Sequence, residues 1–124
     1  PDGAKALSAV LVGLRGALDA SRDFDAEVLR RLAELRYLTT TLCAACAVPG
    51  ADPALATRVA DDFLRAVALV LLAWAWIQIL ATITAPRWSA PAQALRAWVL
   101  PELDIRLAII RQQMATPLHN NATA

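Results

Sequence analysis

Apolar residues recur along this chain with the spacing of helices and almost nowhere with the alternation of strands. Leu7, Val10, Leu11, Leu14 and Leu18 fall at i, i+3, i+4, i+7 and i+11, one face of a 3.6-residue repeat, which predicts a first helix over residues 3–20. Ser21, Arg22 and Asp23 interrupt that pattern. Asp23 is a suitable N-cap for a second helix, and Asp25 and Glu27 in its first turn suit the positive end of the helix dipole. Val28, Leu32, Leu35, Thr39, Leu42 and Cys46 then alternate by four and three residues, a bundle seam. Pro49 and Gly50 end it, since proline cannot continue the hydrogen-bond ladder and glycine tolerates the turn.

Asp52 as N-cap and Pro53 at the first helical position open a third helix. No breaker follows before Pro86, so the helix is expected to run about 33 residues, or ~50 Å. Arg58, Asp61, Asp62 and Arg65 leave one face of its early turns wet, whereas no charged residue stands between Arg65 and Arg87. Ser89 caps a fourth helix, with Pro91 in its first turn and Leu95, Val99, Leu103, Leu107, Ile110 and Met114 as its inner stripe. Glu102 and Arg106 are placed to pair on its outer side, and Pro101 predicts a kink. Residues 116–124 are polar and are expected to fray. The pattern as a whole predicts an all-α fold, an antiparallel four-helix bundle with the long apolar third helix at its centre. One domain spans residues 1–124, with a polar tail from about residue 116.

The uncharged run of the third helix is long enough for a bilayer, where ~20 apolar residues suffice. The sequence favours burial in the bundle over a span. The other three helices carry apolar seams that need a partner, and an all-apolar helix supplies it. Trp74, Trp76 and Gln78 lie mid-run, whereas aromatic belts lie at the ends of a span. The flanking arginines, one per side, give no positive-inside bias.

Composition adds little to this. The chain of 124 residues is 58% hydrophobic, above the ~45–50% of an average soluble domain, and much of the excess is alanine, which suits close helix packing. Twelve basic against eleven acidic residues, alternating along the chain, give no basic stripe for nucleic acid. The start, PDGAKALSAV, has no initiator Met and no signal-peptide pattern, and reads as a fragment or processed chain. Two cysteines are too few for a disulfide framework, which points to a reducing, cytoplasmic setting.

The candidate chemistry is thin. Cys43 and Cys46 form a C-x-x-C near a helix C-terminus, where the dipole raises a thiol pKa, so they read as two small hydrophobes on a seam. His119 is the only histidine and lies in the tail, too little for a structural zinc site. Asp61 and Asp62 have no Glu-x-x-His motif to join and read as a solvated face. Trp74, Trp76, Trp88 and Trp98 read as core or interface anchors. Gly3, Gly13, Gly16 and Gly50 fit no phosphate-binding loop. No catalytic and no metal-ligating residue is assigned, and no cofactor-binding residue is named.

One resemblance adds a function. Phe63-Leu64-Arg65, the apolar run with Leu72-Ala73-Trp74-Ala75-Trp76, a short polar break, then Ala94 and Leu100-Pro101-Glu102-Leu103 together resemble the C-terminal helical domain of a branch of the acyl-CoA dehydrogenase family. A glycine is common there at the position of Ala73. The preceding helix pair fits the same layout, so the resemblance covers nearly the whole chain. It implies a non-catalytic appendage that supports the catalytic body of a flavoenzyme or its homo-oligomer. It also implies that FAD, acyl-CoA pocket and catalytic carboxylate all lie in that fused or separate body, outside this chain. Two other readings stand beside it: a small integral membrane protein with one span at residues 66–85, and a stand-alone helical interaction module.

Overall fold

A computed structural model describes residues 2–83 and 85–115 of the chain. Four helices follow one another: α1 (Asp2–Gly16), α2 (Asp23–Ala47), α3 (Leu55–Thr82) and α4 (Ser89–Ala115), with a 3-10 turn, Pro86–Trp88, leading into α4. There is no strand among the described residues. The all-α four-helix bundle with a long, apolar third helix is the fold of this chain.

The helix ends show where local chemistry outruns periodicity. α1 stops at Gly16, four residues short of expectation, because the next turn has its own partners. The Asp19 carboxylate accepts the Ser21 N–H at 2.9 Å and the Ser21 hydroxyl at 2.7 Å, and the buried Asp25 carboxylate accepts the Asp19 N–H at 2.8 Å. Such short-range bonds compete with helical ones. Asp23 is therefore not the N-cap of α2: Arg22 holds that position without a side-chain cap, and Asp25 ties the linker down instead. Gly50, with φ +79°, makes the turn after α2, a conformation that favours glycine.

Asp52 does organise the entry to α3, though the helix begins at Leu55. Its carboxylate accepts from the Arg58 guanidinium and from the Ala54 N–H, and these hold its pKa below the ordinary 3.8. A depressed carboxylate stabilises the fold above its unfolded pKa, and that contribution is lost as pH falls through the lower folded value. Asn at this position can still accept the Ala54 N–H, so Asp52→Asn isolates the charge. Its thermal midpoint is expected to lie below that of the parent at pH 7, and the gap is expected to close as pH falls through the lowered folded pKa of Asp52.

Leu11, Val28, Leu32, Leu35, Val59, Val70, Val99, Leu103, Leu107 and Ile110 are fully buried and form one core. The expected inner line of α4 is the observed one, with Leu95 and Met114 packed against its ends, and α4 runs unbroken through Pro101. α3 and α4 form the most extensive pairing, α2 packs on both, and α1 packs mainly on α2. Val10, expected in the α1 seam, is half exposed; Leu11 and Leu14 carry that helix's burial.

Candidate functional site

The most polar constellation lies between α2 and α4. Arg31 is buried, and its guanidinium grips Asp104 with two bonds of 2.8 Å, Nε to Oδ1 and Nη2 to Oδ2. Its Nη1 donates to the Glu27 carbonyl at 3.0 Å. Arg96 donates to the Glu27 carboxylate at 2.8 Å and lies 5.3 Å from the Phe24 ring centre. Arg111 pairs with Glu34 one step further along. Partner numbers rise together on both helices, so α2 and α4 run parallel here, and the pairs form a ladder. A groove of about 430 Å³ opens beside it over Leu100 and Pro101. Its charges are already matched, arginine against carboxylate, and arginine does not deprotonate. The arrangement clamps two helices. Sequence reasoning did not find it, because Arg31 and Asp104 are brought together only by the fold.

The residues singled out in the sequence are dispersed. Cys43 and Cys46 are both free and exposed, so they are not packed on a seam as expected. Cys46 stands 18 residues, five full helical turns, beyond buried Val28 and so on the same side of α2. Burial fades in the last turn itself: Cys43, Ala44, Cys46 and Ala47 are all exposed, and Leu42 and Ala45 are only partly buried. Asp62 also differs from expectation. It is no solvated carboxylate but an interhelix partner, accepting from Arg106 at 3.0 Å, whereas Asp61 stays exposed and pairs with Arg65 at 3.2 Å. Arg106 lies between α3 and α4, not on the outside, and Glu102 is the more distant partner at 3.8 Å. No cluster of three metal-ligating side chains occurs among the described residues. His119 lies outside them.

The tryptophans divide. Trp74 packs half-buried against the core, and Trp76 meets Trp88 edge-on at 6.3 Å, with Arg87 over Trp88. The buried indole N–H groups of Trp74 and Trp88 have no acceptor among the described residues. Trp98 is 54% exposed, and Ile105 on the same side of α4 is 56% exposed. Ala94, Trp98, Pro101, Ile105 and Ala108 follow one another by four and three residues, all exposed. The charges of α4 leave this line clear: Arg96, Asp104 and Arg111 turn to α2, and Arg106 turns to α3.

α3 has an uncovered side as well. It is long and apolar enough to cross a bilayer by length and composition, and a third of its most apolar window is buried. Leu64 is 69% and Leu71 39% exposed, Ala68 is exposed and Ala75 half-buried. The pairs Asp62–Arg106 and Arg58–Gln113 set the antiparallel register of α3 and α4. Comparison with known proteins adds nothing to this geometry. No family model, curated protein or solved structure matches the chain. The acyl-CoA dehydrogenase resemblance therefore rests on the quoted residues alone, and its Leu100-Pro101-Glu102-Leu103 element lies in α4, where Pro101 belongs to the exposed line and Leu103 to the core.

Proposed function

We propose that the chain is a non-catalytic helical bundle that docks through α4 onto a larger protein body. The observation that carries this is the exposed apolar line Ala94–Trp98–Pro101–Ile105–Ala108, kept free of charge because the charged side chains of α4 are engaged within the bundle. A half-exposed tryptophan flanked by small residues is the kind of anchor that dominates protein interfaces. The finer reading, that the body is an FAD-dependent acyl-CoA dehydrogenase, draws its support from the resemblance around Leu100-Pro101-Glu102-Leu103. In that reading flavin and acyl-CoA are held by the body, and the role of this chain is to support the body in the cytoplasm.

The expected result is that the purified chain stays in the aqueous phase of a detergent phase-separation assay and gives no heat with FAD or an acyl-CoA in calorimetry. It is further expected to co-elute with an acyl-CoA dehydrogenase body that lacks such a domain, and to lose that association on Trp98→Glu. Transfer to the detergent phase would favour a membrane-embedded α3, and a stoichiometric flavin chromophore would overturn the non-catalytic reading.

A further inference from the structure

The exposed side of α3 is self-complementary, and the geometry points to a second copy of this chain as its occupant, packed antiparallel along α3 about a two-fold axis. The seam reads Leu64, Ala68, Leu71, Ala75, spaced by four, three and four, with large and small side chains in alternation. In an antiparallel helix pair the residues of one seam meet those of the other in reverse order. A two-fold crossing α3 between residues 69 and 70 sets Leu64 against Ala75 of the second copy, and Ala68 against its Leu71. Every layer then joins one large and one small side chain, so the helices approach closely without a void or a clash. The next layer outward sets Asp61, paired with Arg65 in its own chain, against Gln78, whose amide donates to the Ala17 carbonyl at 3.4 Å, so the apolar strip ends in a polar layer on each side. A C2 interface must be self-complementary in this manner, residue i on j and j on i.

Lipid would also cover apolar side chains, but it sets no requirement that large alternate with small. Nor does this reading depend on the docking line of α4, which carries different residues. The contact is a strip along one helix, smaller than the ~800 Å² per partner of a standard interface, so the dimer is expected to form reversibly with concentration.

Sedimentation equilibrium of the full chain over a range of concentrations tests the register through a size swap. Ala68→Leu sets leucine against leucine, and Leu71→Ala sets alanine against alanine; because each change occurs twice per dimer, each is expected to weaken dimerisation by about tenfold or more. The double variant restores one large and one small residue per layer and is expected to return to within about threefold of the parent. Ile105→Ala, on the α4 line, is expected to leave the dimer unchanged, and helical circular dichroism shows that each variant is folded. A parent that stays monomeric at every concentration overturns the proposal. So does a dimer indifferent to the single changes, or a double variant as weak as the sum of the two. A chain that remains monomeric and still binds a flavoenzyme body through Trp98 would sink the dimer while sparing the docking function.

Discussion

Leu103→Ala is expected to destabilise the bundle by about 2–5 kcal/mol, a large share of the ~5–15 kcal/mol that holds a typical domain together. Leu103 is fully buried at the middle of the α4 inner line, where α2 and α3 both pack. Truncation removes methyl and methylene groups from an interior that cannot fully close, so the lost transfer free energy and the cavity add. Leu107, equally buried one turn on, is expected to behave alike. Leu64, 69% exposed on α3, supplies the contrast: Leu64→Ala is expected to change the stability of the monomer by no more than ~0.5 kcal/mol. Urea unfolding of the three variants at a concentration where the parent is monomeric provides the comparison. Equal losses at positions 103 and 64 would mean that the core lies elsewhere.

That contrast marks what could be read from sequence. The inner line of α4 was legible because six residues keep one period over five turns, and burial follows period when a helix has neighbours on one side. The uncharged run of α3 was legible as a segment that must be hidden, but periodicity has no means of saying how much of it neighbours hide. With α1 packed mainly on α2, one side of α3 stays bare, and the Leu64–Ala75 seam lies there. The end of α1 was not legible, since Leu18 continues the apolar pattern while Asp19 and Ser21 close a turn beneath it. The exposure of the cysteine pair was not legible, because period gives the side of a helix that faces the core and not how far along the helix its neighbours reach. The clamp between α2 and α4 had no local signal: Arg31 and Glu27 suggest an ordinary surface pair along one helix, at 3.8 Å in the fold, while the shorter bonds run to Asp104.

The clamp yields an asymmetric expectation: removing Asp104 should cost more than removing the arginine it serves. The Arg31 side chain is 7% exposed and that of Asp104 48%. Asp104→Ala strands a guanidinium in a desolvated site. Breaking a fully buried pair in that way costs ~3–5 kcal/mol. Here the Glu27 carbonyl at 3.0 Å still accepts from Arg31, its carboxylate is near, and water reaches the groove, so about 1–3 kcal/mol is expected. Arg31→Met removes the charge that would be stranded, retains much of the apolar stem, and leaves Asp104 half in water. Its expected cost is within ~1.5 kcal/mol. The double variant should then be about as stable as Arg31→Met alone, because once the guanidinium is gone the carboxylate has little left to do. A double-mutant cycle by urea unfolding reads this directly as a coupling between positions 31 and 104. If Arg31→Met proved the worse of the two single changes, the arginine would be stabilising the bundle through its stem and the Glu27 carbonyl rather than through the pair with Asp104. The parallel alignment of α2 and α4 would then rest on packing and on the Arg96–Glu27 and Arg111–Glu34 pairs.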